Sequence, residues 1–355
     1  MIKYFDAFSG IGGFALAIQR TWPDAECVGF SEVDKYATAI YRKHFESHPY
    51  WGDITKIDYE QIPDFDLLCG GSPCQDISVA NTGGKGLDGI KSGLFFDWCK
   101  ILQAKKPKTF LFENVDGILH SNRGWDFARL LREVDEIGYD VEWRVLNSAD
   151  FGVPQRRMRC FVVGHLRGQS CRAILSQSEE DGNNQKTQEN RRQERIQSTS
   201  NIDRKLAGTL VTSCFDKLAT FIKIQVVNEG NYADRKVYNP DGLSPTLRAS
   251  VNHVPKIELE KDEVWRRLTP IECERLQSFP DNWTKFGFFN KGELIWNGET
   301  TLTKVGQLQP HMVFAKEDDV YQVVESARYN CLGNAVTVNV VEAIMKRMRD
   351  IGGLI

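Results

Sequence analysis

Between Ile2 and Gly164 short apolar runs alternate with helical ones, and this rhythm leaves the chain few architectures to adopt. Ile2 to Phe5, Glu26 to Phe30, Phe65 to Cys69, Thr109 to Phe112 and Cys160 to Gly164 read as buried strands. Helical patterning falls between them, over Phe14 to Arg20, Tyr36 to Phe45, Leu94 to Gln103 and Trp125 to Ile137. Strands separated by helices predict an α/β fold, a mostly parallel sheet wrapped by helices. Asp6-Ala7-Phe8-Ser9-Gly10-Ile11-Gly12-Gly13 follows the first strand, so the chain opens with a strand, a glycine turn and a helix. Such a unit binds nucleotides: the glycines admit a tight turn and close approach of a ligand, and the helix offers its positive end. Dinucleotide oxidoreductases share this device, so the turn alone does not choose a cofactor.

Gly70-Gly71-Ser72-Pro73-Cys74-Gln75 follows the third strand. In an open α/β sheet ligands bind outside the carboxyl ends of the strands, so a thiol on a proline-stiffened turn there meets a substrate. An inert buried cysteine would also satisfy that pattern. Glu113 ends the Thr109 to Phe112 run, where a strand-end glutamate in a salt bridge is the ordinary alternative to a reacting acid in apolar surroundings. Gln155-Arg156-Arg157-Met158-Arg159, if extended, puts Arg157 and Arg159 on one face, their guanidinium forks seeking oxygen acceptors in a common cleft.

Taken in order, these segments resemble the cytosine-C5 DNA methyltransferases over most of the chain. The matching blocks are Asp6 to Gly13, Ser31-Glu32-Val33-Asp34, Gly52-Asp53-Ile54, Gly70 to Gln75, Phe112-Glu113-Asn114-Val115 and Gln155 to Arg159. Two more lie late, at Arg267-Leu268-Thr269-Pro270 through Glu272, Arg275 and Phe279-Pro280, and at Gly333-Asn334-Ala335-Val336-Thr337-Val338. Ser72 stands where relatives often carry phenylalanine, and Val33 where some carry tryptophan.

The resemblance implies a Rossmann-like methyltransferase domain that moves a methyl group from S-adenosylmethionine to carbon 5 of a flipped cytosine in duplex DNA. Carbon 5 is too weak a nucleophile until a thiolate adds at carbon 6, and the resemblance assigns that role to Cys74, with Pro73 fixing the backbone before it. Glu113 would serve the ring nitrogen 3, Arg159 the ring oxygen, and Arg157 the support of the pocket or a phosphate. Asn114 and Gln75 would be scaffolding. Phe8, Ser9, Gly10, Gly12, Gly13, Glu32, Val33, Asp53, Ile54, Gly71, Leu94, Asn334 and Ala335 would form the cofactor site, with Glu32 on the ribose hydroxyls and Phe8, Asp53 and Ile54 around the adenine. Three of these have a plainer alternative: Phe8 as core, Asp53 as a turn former after glycine, Glu32 as a helix cap. The glycine-rich stretch to Gly93, with Lys85 and Lys91, would be a lid over the extruded base.

At 355 residues the chain predicts two domains, a catalytic one over 1–167 and 328–355 and a target-recognition one over 168–327. Residues 168–205 are polar and read as a flexible insertion, whereas 284–327 read as an additional surface element. Leu206 to Ser213, Tyr238 to Gly242 and Leu243 to Ser250 suggest short strands and turns. With 41% hydrophobic residues the chain reads as globular, and no apolar stretch approaches the ~20 residues of a membrane span. Lys3 and Asp6 interrupt any signal-peptide pattern, and nine cysteines without framework spacing suit reduced thiols in a cytoplasm. No Cys-x-x-Cys pair occurs and the six histidines are scattered, so no metal is expected. The formal charge of −3 means that any phosphate must be met by local basic groups. The expected partner is double-stranded DNA, for a monomer of a restriction-modification or phage modification system, with a cognate restriction endonuclease held in no stable complex. Two other readings compete. The irregular recognition region and the lack of a Cys-Phe-Thr tripeptide count against a transfer-RNA methyltransferase, and the retention of Cys74, Glu113 and Arg159 counts against a silent DNA binder.

Overall fold

The computed structural model of the chain describes residues 1–73, 93–168, 174–175, 226–228, 237–238, 243–249, 254–258, 265–289 and 320–351. Strands β1 (Lys3–Ala7), β2 (Glu26–Ser31), β3 (Leu67–Gly70), β4 (Thr109–Val115), β5 (Tyr139–Asn147) and β6 (Met158–Leu166) form a 6-stranded sheet in the order β2-β1-β3-β4-β6-β5. The first four pair in parallel, and β6 runs antiparallel between β4 and β5, so the sheet is mixed. The helices α1 (Gly13–Thr21), α2 (Lys35–His44), α3 (Leu94–Lys105) and α4 (Trp125–Ile137) lie within a residue or two of the periodic runs. Asp34 starts α2 where a helix needs an acceptor, taking the N–H groups of Tyr36 and Ala37 at 2.9 Å.

Successive strand residues enter opposite layers. Tyr4, Leu67 and Cys69 join a cluster with α1 and α2, while Phe5 and Leu68 join another with Trp98 and Leu102 of α3 and Leu130 of α4. Covering both faces explains why β1 and β3 read as continuous apolar runs. Each fully buried side chain of this size contributes about 1.5–3 kcal/mol, so the sheet edge carrying the site is held by a rigid double layer.

Later segments complete the molecule. A 4-stranded sheet follows, made of β7 (Val226–Asn228), β8 (Val237–Tyr238), β9 (Lys256–Glu258) and β10 (Trp265–Arg267). Helix α5 (Pro270–Leu276), the antiparallel pair β11 (Phe286–Phe288) and β12 (Val320–Gln322), and helices α6 (Glu325–Asn334) and α7 (Val338–Ile351) come after it. Thr269 and Glu272 form a reciprocal capping box at the start of α5. Thr269→Ala should therefore lower stability by about 1 kcal/mol in denaturant titration, and an unchanged midpoint would contradict the capping role. Glu274 is fully buried on α5, yet its carboxylate accepts from the backbone of Asn282 (2.7 Å) and Thr284 (2.8 Å) and pairs with Arg328 of α6 (3.0 Å).

Two expectations change here. Of the stretch 284–327, residues 290–319 lie outside the described residues, and the two ends are packed rather than a surface element: β11 pairs with β12, and Phe289, Val323 and Ala327 are buried in the cluster that contains α1 and α2. Their aliphatic and aromatic side chains fill space beside α2, where the methyl of Ala39 would lie 2.9 Å from a Cβ on Gly287. Within 168–205, Ile174 and Leu175 are buried, and their N–H groups bind the Glu142 carboxylate of β5. The rest of that insertion, residues 206–213 and the stretch 74–92 with Cys74, Gln75, Lys85 and Lys91 lie outside the described residues. Leu268, Leu276, Phe279 and Trp283 pack in the same cluster as α1 and α7, so the region after 268 shares the core of the first lobe.

Candidate active site

The strand order reverses direction between β1 and β3, the place where an open α/β sheet opens a crevice at its carboxyl edge. Gly70 ends β3 at φ 148, and a Cβ there would lie 2.0 Å from the Ala7 carbonyl. Only glycine lets the chain leave the sheet so close to β1. Beyond it Gly71 faces Glu113, Ser72 is buried and Pro73 is exposed, so the turn projects outward just before Cys74.

Glu113 and Asn114 lie near the carboxyl end of β4, and because β6 is antiparallel, its first turn of chain reaches the same edge, with Arg159 opposite Val115. The Arg159 Nε stands 3.0 Å from Glu113 Oε1, and the Arg159 Nη1 donates to the Met158 carbonyl at 2.7 Å. Both side chains of the pair are 15% exposed, so each keeps an open face toward the crevice. Glu113 thus sits against a guanidinium rather than in the purely apolar surroundings expected. Asn114 is buried beneath it.

Arg157 does not share that open face. It is buried, and its guanidinium donates to the carbonyls of Leu247 (3.1 Å), Gly333 (3.1 Å) and Ala335 (2.7 Å). Arg157 precedes β6, which starts at Met158, so strand alternation does not govern it. Support of the pocket fits this position and contact with a phosphate does not. Around it the backbone of Arg156 and Pro154 exchanges hydrogen bonds with Ser244, fastening the start of β6 to residues 244–247.

On the other side of the crevice, the glycine turn puts Phe8 (φ 54), Gly10 (φ 54) and Gly12 (φ 88) in the left-handed region. For phenylalanine that backbone is strained, as at sites where a ligand matters. Phe8 and Leu94 are each half-buried against the second cluster. Ser9 is buried with a hydroxyl that has no partner. The Glu32 carboxylate accepts the N–H groups of Gly10, Val33 and Asp34, each at 2.8 Å, which leaves about one of its roughly four acceptor positions for a ligand hydroxyl. Burial pushes its pKa up against those bonds. Val33 is 70% exposed beside it. Asp53 accepts from the Thr55 N–H (3.0 Å) and hydroxyl (2.8 Å), capping a 3-10 turn, and Ile54 is buried in the core. Asn334 is exposed and Ala335 buried at the end of α6, and Val336 lies so close that a Cβ on Gly13 would stand 2.6 Å from its Cγ1. The last motif therefore abuts the first.

Sequence reasoning missed two contacts that hold this arrangement. The Trp283 indole donates to the Ile11 carbonyl inside the glycine turn (2.9 Å) and stacks on His44. Gln277 receives the Thr337 hydroxyl at 2.7 Å and donates to the Leu332 carbonyl at 3.2 Å. Partners so far apart in sequence leave no local pattern.

Asp6 lies unexposed under the turn, and burial pushes its carboxyl up to about 8 against hydrogen bonds from Tyr41 (3.4 Å) and Cys69 (3.8 Å). An acid whose folded pKa exceeds its unfolded one, ~3.9, loses the fold stability as pH climbs from roughly 4 to about 8. Asp6→Asn removes that titration. Its melting temperature should gain on the parent's through this window and level off above it; a difference independent of pH would contradict the buried neutral acid.

The family model for C-5 cytosine-specific DNA methylases matches residues 2–293. The chain is 33% identical over 296 residues to the type II methyltransferase M1.ScrFI of Lactococcus lactis subsp. cremoris, covering 79% of this chain and 70% of that protein. It is 42% identical over 166 residues to the type II methyltransferase M.NlaX of Neisseria lactamica, covering 47% and 53%. Against the orphan methyltransferase M.SPRI of Bacillus phage SPR it is 39% identical over 165 residues, covering 46% and 37%. The match thus spans about half the length of M.NlaX and less of M.SPRI. In fold the chain is like the S. pombe Dnmt2 methyltransferase, with a TM-score of 0.61 at 17% identity and 99% of both chains covered. It is also like the Entamoeba histolytica methyltransferase EhMeth, with a TM-score of 0.60 at 17% identity, covering 99% and 98%. The order of motifs, the mixed six-stranded sheet and these matches agree, and the chain belongs to the C-5 cytosine-specific DNA methylase family.

Proposed function

We propose that the chain is a sequence-specific DNA (cytosine-5-)-methyltransferase that uses S-adenosylmethionine. The observation that carries this reading is the Glu113–Arg159 pair at the carboxyl edge of β4 and β6, beside the Gly70–Pro73 turn that leads to Cys74. When bound, the cofactor supplies an electrophilic sulfonium methyl group. The buried, unpartnered Ser9 hydroxyl, the left-handed Gly10 and Gly12 and the remaining acceptor position of Glu32 suit a ligand with a ribose and a charged amino-acid end.

The Cys74 thiolate adds to carbon 6 of the extruded cytosine and makes carbon 5 nucleophilic. Glu113 meets the ring nitrogen 3 and Arg159 the ring oxygen, so charge moving onto the ring is balanced where it develops. Once carbon 5 carries the methyl group, water takes the carbon 5 proton, and the electron pair of that C–H bond re-forms the 5,6 double bond as the carbon 6–sulfur bond breaks and the Cys74 thiolate leaves. Arg157 holds the strand that presents Arg159. The names of the type II and orphan relatives support a place in a restriction-modification or phage system, and we propose further that the chain acts there as a monomer with no stable nuclease complex. No helix among the described residues is long and apolar enough to cross a membrane.

Labelled S-adenosylmethionine, unmethylated duplex DNA and base-resolution mapping of 5-methylcytosine test this. Label at cytosine carbon 5 within one short motif is expected. Label on transfer RNA with none on any duplex would overturn the substrate, and no label on either would overturn the activity.

A further inference from the structure

After Glu113 the chain runs through two 3-10 turns, Asp116–Leu119 and Ser121–Gly124, before α4 begins at Trp125. Asn122 (φ 47), Arg123 (φ 56) and Gly124 (φ 89) are successive residues in the left-handed region, and only the last is glycine. An L-residue there costs about 1–2 kcal/mol, so this shape is imposed. Its anchors are the buried Gly117 and Ile118 and the buried Asp126, which accepts the Ser121 hydroxyl.

What the turn presents is chemically consistent. His120, Asn122 and Arg123 are exposed, and Trp125 is 71% exposed. Among the described residues no carboxylate pairs with His120 or Arg123. An unburied indole beside an unneutralised guanidinium suits a ligand with both an anionic backbone and flat apolar faces. The turn lies at the same sheet edge as Glu113, and at a rise of ~2 Å per residue Arg123 is within roughly 20 Å of it. One turn of duplex is ~34 Å, long enough for DNA that delivers a base to Glu113 to reach this rim. With a chain charge of −3, such local cations are what phosphates can meet.

We propose that the His120–Trp125 turn is a DNA-backbone contact of the catalytic lobe, with Arg123 on a phosphate and Trp125 against a sugar or base face flanking the target. This rests on the duplex-DNA reading above. Binding of a fluorescent cytosine-containing duplex is measured over a salt series for the parent, Arg123→Gln, Arg123→Lys and Trp125→Ala, alongside methylation kinetics and melting temperatures. Arg123→Gln should reduce the log–log salt slope by about 0.9 and Arg123→Lys should restore it. Trp125→Ala should weaken binding about tenfold, raising KM for DNA far more than it lowers kcat. Affinities within about twofold of the parent and an unchanged slope would overturn the contact while leaving the methylation reading standing. A parent that binds no duplex would overturn both.

Discussion

Glu113→Gln is expected to lower kcat by about 10²–10⁴-fold while the fold and cofactor affinity survive, because the variant keeps the shape of the side chain and loses its proton chemistry and its charge against Arg159. A second variant reaches the same group without touching it. A Cβ on Gly71 would stand 2.6 Å from Glu113 Oε2 and 2.8 Å from the Glu113 carbonyl, and a backbone atom on β4 cannot yield cheaply. Gly71→Ala should therefore displace Glu113 and cost activity on a comparable scale, about 10²-fold, and it should also lower the melting temperature, because backbone must shift to admit the methyl group. Steady-state kinetics on saturating duplex check both. Full activity in Gly71→Ala would mean that Glu113 does not need the position seen here.

Arg157→Met should be among the most destabilising single changes in the molecule, at about 3–5 kcal/mol. The buried guanidinium is the shared partner of three carbonyls, from Leu247, Gly333 and Ala335, which join the start of β6 to residues 244–247 and to the end of α6. Methionine fills much of the volume but leaves those acceptors dry and unpaired, at about 1–3 kcal/mol each. Lysine can reach fewer of them from a single ammonium, so Arg157→Lys should fall between. Burial pushes the Arg157 pKa down, yet the group stays a cation held by carbonyl dipoles. Denaturant titration measures the loss. A midpoint unchanged in Arg157→Met would refute the cradle and return Arg157 to the cleft.

Strands buried on both faces announce themselves, and β1 to β4 were legible for that reason. The edge strand β5 was not: Asp140, Glu142 and Arg144 interrupt its apolar residues because one side binds Arg167, Ile174, Leu175 and His165 instead of core. Glu113 and Arg159 could be placed because each follows or opens a readable strand, and antiparallel pairing then brings them together. The side-chain direction of Arg157 could not, since a non-strand residue follows its acceptors rather than the pleat. The Glu32 position was legible from the strand end, but not that three backbone N–H groups already occupy its carboxylate. Trp283 and Gln277 act on residues dozens to hundreds of positions away, where sequence spacing says nothing.

Methyl transfer by the parent and by Cys74→Ser on one duplex, with DNA and S-adenosylmethionine binding measured in parallel, tests the covalent mechanism most directly. The account predicts that the variant binds both as the parent does and transfers no methyl group above background, because a serine hydroxyl is not ionised near neutral pH and cannot add to carbon 6. A Cys74→Ser protein as active as the parent would contradict it.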